Sequence, residues 1–406
     1  MFRDRNFLRI TLADLIVRSA YQMGKTPLLP IFAAALGASD VMLGLIVSVS
    51  TLTGMVSKPL VGFLSDRWGR KLWLIVGTCF FAFIPFAYWL VETPQHLVII
   101  RVVHGCATAI YGPVTLAYVA ENTRRKRAEK LAWFSIARNG GYIVGPAFAG
   151  WLLLTRSPQL VFTIIGLISC LAFLPVLRMN DIARPTANTR TPFLEQIGNA
   201  LRQGSQTPAV WLSGGIESVT FVVLYALKAY LPIYALAQGY NTAEVGTFFA
   251  VQETAQIVFK PIGGRISDRR GTKPTIIIGM IGLAVVLGMV TMAQTWWTLL
   301  LLAGLLGVFQ ALIFPATTAL IAEQLASANL GTGMGLVGTM RNFGKVVGPI
   351  VVGVLLTWFD FRPTFLILSV SMSVTALMLL IAPRKHLLLE VIEPEVPIGR
   401  NHVRSS

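Results

Sequence analysis

The chain has 406 residues, 54% of them hydrophobic and only 13% charged, with a mean hydropathy of +0.68. Soluble domains carry roughly 25% charged residues, so a soluble fold is excluded and an all-α polytopic membrane protein is expected. The net charge of +16 does not imply nucleic acid, because the cations fall in loops on one side, where they orient the chain.

Apolar runs of about 20 residues, long enough to cross a bilayer as helices, recur throughout. Twelve spans are expected, over 10–33, 41–63, 72–91, 97–121, 131–154, 158–177, 209–236, 243–265, 274–293, 296–322, 332–357 and 362–382. They divide into an N-terminal six-helix bundle (1–178), a cytoplasmic linker (179–208), a C-terminal six-helix bundle (209–383) and a cytoplasmic tail (384–406). Met1-Phe2-Arg3-Asp4-Arg5 leads directly into a span, with no cleavable signal expected. Arg3, Arg5 and Arg9 precede span one. Arg67, Arg70 and Lys71 follow span two, and Arg124, Arg125, Lys126, Arg127 and Lys130 follow span four. The linker carries Arg178, Arg184, Arg190 and Arg202. Arg265, Arg269, Arg270 and Lys273 follow span eight, and Arg384 and Lys385 the last. Both termini and the linker are therefore expected in the cytoplasm of a cell-membrane protein. Arg156 and Arg362 are the exceptions, and Ser327-Ala328-Asn329 is a loop of the basic side without a cation. The linker reads as partly amphipathic around Phe193-Leu194-Glu195, and the tail as disordered. Cys79, Cys106 and Cys170 lie in apolar spans without metal or redox spacing and read as packing residues.

The chain contains an internal echo. Gly62-Phe63-Leu64-Ser65-Asp66-Arg67-Trp68-Gly69-Arg70-Lys71 recurs as Gly264-Arg265-Ile266-Ser267-Asp268-Arg269-Arg270-Gly271-Thr272-Lys273, 202 residues on. The same offset relates Lys58-Pro59 to Lys260-Pro261, Gly37 to Gly239, Gly44 to Gly246, Pro113 to Pro315 and Glu121 to Glu323. With one residue of drift, Arg138-Asn139 matches Arg341-Asn342 and Gly145-Pro146 matches Gly348-Pro349. Six spans per half give parallel repeats, expected as two pseudo-symmetric six-helix bundles around a central cavity.

Gly62, Asp66, Arg67, Gly69, Arg70 and Lys71 resemble the signature hairpin of the major facilitator superfamily. Leu97, Arg101 and Gly105 resemble its fourth-helix motif, with His104 where glutamine is usual. Gly141, Gly145, Pro146 and Gly150 resemble its fifth-helix antiporter motif, with Ala149 in place of a glycine. Together they resemble the twelve-helix drug:proton antiporter branch. The resemblance implies that span two packs against span eleven, near Gly331–Gly335, to close the inside in an outward-open state.

The hairpin needs a tight turn, and Gly69 supplies the backbone freedom. Asp66 could pair with a basic neighbour or cap a helix N-terminus. The hairpin reads as a gate or as a topology-setting loop. Glu121 is expected to pair with Arg67 or a nearby arginine, and Glu323 with the second hairpin, which is degraded by Arg270 and Thr272. Asp268 and Arg269 complete that second gate. Gly141, Gly145, Pro146 and Gly150 put small residues around a helix breaker. They read as tight packing between the halves, at a seam that opens and closes.

Charges inside the membrane carry more information, since each costs at least about 2.5–3.5 kcal/mol to insert. Glu253, flanked by Gln252 and Gln256, is the first proton-coupling candidate, because burial raises a carboxyl pKa and a nearby cation lowers it. Glu217 is the second. Asp14 is a third, or else a local pair for Arg18 four residues on. His104 reads as a relay or as a packing histidine. Arg18, Arg101, Arg138, Lys228, Gln252, Gln256 and Arg341 are candidate cavity residues. Lys25 and Lys345 are also embedded, and Lys58 and Lys260 are expected to snorkel. Tyr21, Gln22, Tyr111, Tyr142, Tyr225, Phe249, Gln310 and Phe343 read first as packing.

These readings point to a secondary active transporter, a proton-coupled antiporter exporting small amphiphilic or organic-anion compounds as a monomer. The alternatives are a symporter importing a sugar, organic acid or other nutrient, and a transporter-like sensor or scaffold. No nucleophile–base pair, metal-ligand spacing or nucleotide-binding loop points to an enzyme, a metal or a cofactor.

Overall fold

In a computed structural model of the chain, residues 4–122, 127–180, 207–324 and 330–381, with positions 198 and 202, are described. Most of the linker, the Ser327-Ala328-Asn329 loop and the tail lie outside them. The described residues form helices and no strands. Span one is broken into Arg5–Lys25 and Leu28–Ala35. Span two is Asp40–Trp68. Span three is Arg70–Phe83, continuing as a 3-10 turn over Ile84–Leu90. Spans four and five are Pro94–Glu121 and Arg127–Leu152. Span six is Pro158–Cys170 with Phe173–Leu177. The second half comprises Pro208–Ala237, Thr242–Arg270, Thr272–Val290, Trp296–Gln324, Leu330–Leu355 and Phe361–Ile381.

The helix starts follow from local chemistry. Ser39, Thr93 and Ser157 each accept the backbone N–H three residues on, and Asn241 forms a full capping box with Glu244. These contacts satisfy donors that a helix start leaves free. Eight of the spans are long and apolar enough to cross a membrane on composition alone. Spans one, five, eight and eleven fall outside that set, and they carry Asp14, Arg138, Glu253 and Arg341.

The hairpin is less of a loop than its sequence suggests. Span two runs helically through Asp66 and Arg67 to Trp68, and span three restarts at Arg70. The whole turn is Gly69, at φ 98°, and its counterpart is Gly271, at φ 91°. A side chain is strained there, so glycine is what allows a one-residue reversal.

The halves meet at the end of the bundle away from these hairpins, here called the far end. A Cβ on Gly44 would lie 2.3 Å from the Pro349 carbonyl oxygen, one on Gly246 2.4 Å from that of Pro146, and one on Gly353 2.6 Å from that of Asp40. Ser48 donates to the Val346 carbonyl at 2.7 Å and Thr242 to that of Gly150 at 2.8 Å. The Tyr230 hydroxyl lies 2.7 Å from the Asp40 carbonyl and 2.8 Å from that of Pro349. The largest apolar cluster spans both halves here and includes Phe32, Leu43, Phe248 and Val352. On the hairpin side the clusters stay within one half, around Tyr111 and Tyr118 or around Ile321 and Val337. Span two packs on span eleven through Gly44 and Ser48 at the far end, whereas a Cβ on Gly335 at the hairpin end would meet nothing within 4 Å. The expected hairpin-side closure is thus not the state observed.

The fifth-helix glycines divide their work. Gly141 and Gly145 press on span one, where a Cβ would meet the Ser19 nitrogen at 2.8 Å and the Gln22 Cβ at 2.8 Å. Only Gly150, against Thr242 and Gly246, reaches the other half. Gly344 and Gly348 repeat the inner contact on span seven, and Gly353 the outer one on span two. The expectation that the whole motif packs between halves is therefore corrected: two of its three glycines hold a half together.

Candidate functional site

Between the halves lies a cavity that reaches toward the hairpin end. Its lobe on the N-terminal half is about 410 Å³ and its lobe on the C-terminal half about 500 Å³. The lobes share Arg138, Tyr142, Tyr225 and Lys345. Span one supplies Arg18 and Lys25, span two Lys58, and spans seven, eight and eleven supply Glu217, Lys228, Glu253, Gln256, Lys260 and Arg341. Eight cations and two carboxylates line it.

The acids are all paired. Asp14, 1% exposed and just behind the lining, receives Arg18 at 3.3 Å and Arg138 at 3.0 Å. Glu217, 2% exposed, receives Arg341 at 2.7 Å and the Thr317 hydroxyl at 2.8 Å. Glu253 receives Lys228 at 2.7 Å. Each of these carboxylates thus faces a cation of opposite charge at ion-pair distance. Asp14 meets its neighbour Arg18 on one helix, and Arg138 joins them from span five.

Four lining cations have no carboxylate within ion-pair distance among the described residues: Lys25, Lys58, Lys260 and Lys345. Lys25, 8% exposed, donates to the Tyr225 hydroxyl at 3.3 Å. Its ammonium lies 4.6 Å from the Tyr225 ring centre, and that of Lys345 lies 5.4 Å from the same ring and 4.6 Å from Phe221. Lys58 and Lys260, expected to snorkel, line opposite lobes, and Lys260 is exposed. Tyr225 is a hub that packing arguments undervalued; its sign in the sequence was an aromatic three residues before Lys228.

Other candidates fall outside the lining. Arg101, 1% exposed, donates to the Ser50 hydroxyl and lies 5.9 Å from the Tyr21 ring. His104 packs between Tyr21 and Phe81, at 5.2 and 5.6 Å, with both ring nitrogens buried and unbonded among the described residues. That cage favours a packing role over a relay. Gln252 is buried with both amide atoms likewise unbonded, whereas Gln256 faces the cavity. Among the described residues no cluster of His, Cys, Asp or Glu is placed to hold a metal ion.

At the first hairpin, Arg70 rather than Arg67 is the centre. It pairs with Glu121 at 2.7 Å, with Asp66 four residues back, and with the Ser65 hydroxyl at 2.6 Å. Asp66 sits in the last turn of span two, so it caps no helix N-terminus. Arg67 is exposed and Lys71 half-buried. At the second hairpin Asp268 and Arg269 are exposed, and Thr272 stands where an arginine would be needed. Glu323 is exposed and, among the described residues, makes no ion pair with that hairpin.

The chain matches the profile of the Major Facilitator Superfamily over residues 16–252 and again over 218–401. An uncharacterised MFS-type transporter of Methanocaldococcus jannaschii is 26% identical over 81% of this chain and 86% of its own. The quinolone resistance protein NorA of Staphylococcus aureus is 23% identical over 87% and 91%. In fold, the chain superposes on a crystal structure of a variant of the nucleoside transporter NupG with a TM-score of 0.80, at 15% identity, over 92% and 99% of the two chains.

Proposed function

The chain belongs to the major facilitator superfamily, and on that premise we propose that it carries small amphiphilic organic anions across the cell membrane by alternating access, coupled to protons. One observation carries the substrate class: eight cations and two carboxylates line the cavity, and both carboxylates are already neutralised. Aromatic faces at Tyr142, Phe221 and Tyr225 suit an apolar body attached to the anionic group. The basic loops at the hairpin end support its lying in the cytoplasm, which would make the observed state open to the inside. In this reading the chain works as a monomer, and the lining of both lobes by one chain supports it.

Export in exchange for protons is the direction favoured by the fifth-helix glycine–proline pattern and by the resemblance to a quinolone-resistance protein. A second reading, symport of an organic acid, rests on the Glu253–Lys228 pair. A proton on Glu253 frees Lys228 to meet an anion, so proton and anion would enter the site together.

Flux into proteoliposomes with an imposed pH gradient, over aromatic anions, neutral compounds and lipophilic cations, tests the proposal. Anions are expected to move fastest. Acid outside drives them outward if the coupling is antiport and inward if it is symport. Glu253→Gln should abolish proton-driven flux and retain counterflow exchange. Cations moving while every anion stays behind would refute the substrate class.

A further inference from the structure

Of the arginines embedded in spans four, five and eleven, Arg138 meets Asp14 and Arg341 meets Glu217. Arg101 has no carboxylate within ion-pair distance among the described residues. It is buried, and a guanidinium keeps its charge in any protein setting. One of its N–H groups meets the Ser50 hydroxyl, and its Nε–H meets no acceptor among the described residues. The Tyr88 hydroxyl stands beside the guanidinium, buried and without a well-formed hydrogen bond. His104, three residues after Arg101 on the same helix face, has both ring nitrogens buried and unbonded. The Tyr21 ring lies 5.2 Å from the His104 ring, 5.9 Å from the Arg101 guanidinium and 5.8 Å from the Lys25 ammonium. Two cations without acids thus share one ring.

Hydrogens and lone pairs do not balance around Arg101. A guanidinium has five N–H donors and no acceptor, a phenol has one O–H, and a neutral imidazole has one N–H and one bare nitrogen. The Arg101 Nε–H, the Tyr88 O–H and the His104 N–H all lack an acceptor, against one spare imidazole nitrogen. Neutral groups only pass this excess along. A hydroxyl that accepts a guanidinium hydrogen must still place its own, and a water brings as many donors as lone pairs. A halide accepts several hydrogens, gives none and cancels one buried positive charge. We propose that Arg101, Tyr88 and His104 form a site for one halide ion inside the N-terminal half.

The site is separate from the cavity, since Ser50, Tyr88, Arg101 and His104 line neither lobe. Its walls are too close for an organic acid. A Cβ on Gly105 would lie 2.6 Å from the Thr53 Cβ and 2.8 Å from the Ser50 carbonyl oxygen, so spans two and four touch beside it. The Tyr88 ring lies flat on Phe162 of span six, with ring centres 3.5 Å apart. Ser50 comes from span two, Tyr88 from span three, and Arg101 and His104 from span four. The ion is therefore a structural counter-charge that ties three helices of one half together. A buried charge without a counter-charge costs several kcal/mol, and an ion that binds only the folded chain stabilises it in proportion to how full the site is. What the carrier moves does not enter.

The test melts the full chain in phosphatidylcholine nanodiscs, followed by helical circular dichroism, in sodium chloride, sodium bromide or sodium gluconate at equal ionic strength. The parent should melt higher in either halide, with the melting temperature rising as the logarithm of halide concentration once the site fills. Arg101→Gln removes the charge together with the site. It should ignore the choice of salt, and in gluconate it should melt no lower than the parent, which there keeps a buried charge without a counter-ion. Tyr88→Phe deletes one donor and keeps the ring on Phe162. Its half-maximal halide concentration should rise about three- to tenfold, and it is the second variant should Arg101→Gln fold poorly. Lys58→Gln, which changes a cavity lysine, should respond as the parent does. Equal melting of the parent in chloride and gluconate overturns the site. So does a halide response that survives whole in Arg101→Gln and Tyr88→Phe, or one that is lost in Lys58→Gln. Arg101→Gln melting below the parent by the same margin in both salts also overturns it, since that is the result a cage of neutral hydroxyls would give.

Discussion

Replacing Gly150 by alanine asks whether the far-end seam holds the observed state. The added Cβ would lie 2.3 Å from the Thr242 carbonyl oxygen and 3.0 Å from the Gly246 Cα. Both are backbone atoms and cannot rotate aside, so spans five and eight must separate by about 1 Å at this crossing. Overpacking of this kind costs about 1–3 kcal/mol. Separation also lengthens the 2.8 Å hydrogen bond from the Thr242 hydroxyl to the Gly150 carbonyl. In the alternating-access cycle proposed above, this crossing parts in the other state and the methyl group is relieved. The whole cost therefore falls on the observed state, and the equilibrium moves by about 5- to 150-fold. Labelling of Ser48→Cys by an impermeant maleimide reads this, because Ser48 is buried in the same seam and bonded to the Val346 carbonyl. The labelling rate should rise by that factor. Gly344→Ala is the control. Its Cβ would lie 2.2 Å from the Ser218 carbonyl within the C-terminal half, a contact present in both states. It should lower the melting temperature without changing labelling. A folded Gly150→Ala protein with unchanged labelling would refute the reasoning.

Asp14→Asn leaves two arginines facing an uncharged, buried amide, and breaking a buried pair in this way costs about 3–5 kcal/mol; a thermal melt should show it, with part of the loss recovered in Asp14→Asn/Arg138→Gln. Arg70→Ala removes the partner of Glu121 and Asp66, whereas Thr272→Ala removes no ion pair; conformational exchange, measured between spin labels on Leu72→Cys and Arg270→Cys, both exposed at the hairpin end, should respond to the first change and not to the second. At the start of span one, partial burial pushes the Asp4 carboxyl up, but the 2.5 Å Lys130 contact and the Phe7 N–H outweigh it and hold its pKa below the ordinary 3.8. Its stabilising contribution is therefore complete above that value and lost as pH falls through the lower folded one; Asp4→Asn should flatten the melting temperature over that acid window.

The twelve-helix plan was legible because length and apolarity decide what crosses a bilayer, and because the 202-residue echo fixes which elements correspond. The paired turns show how far that echo holds: Gly37 and Gly239 take φ of 76° and 89°, as Gly69 and Gly271 share theirs. The embedded acids were legible as important, but not their partners. Arg138 reaches Asp14 from 124 positions away, and Arg341 reaches Glu217 across the same separation, distances over which no helical spacing rule operates. The depth of Lys58 and Lys260 was legible but not the cavity they line, because depth along a helix can be read from sequence while the direction a side chain faces around the bundle cannot. The role of Gly150 was hidden in the same way, since its motif gives no sign of which glycine faces which neighbour.

The Tyr230 hydroxyl stands between two carbonyls, of Asp40 and Pro349, each within hydrogen-bond range. A phenol has one hydrogen to give. Both carbonyls lie inside helices and take their own helical N–H, so the phenol's single hydrogen adds to bonds already made rather than completing one. Water entering as that end parts takes that hydrogen equally well. The polar contacts across the seam thus act less as a lock than as a meeting place of two loosely matched faces, and it is the close fit of glycine backbones that decides how long they stay together.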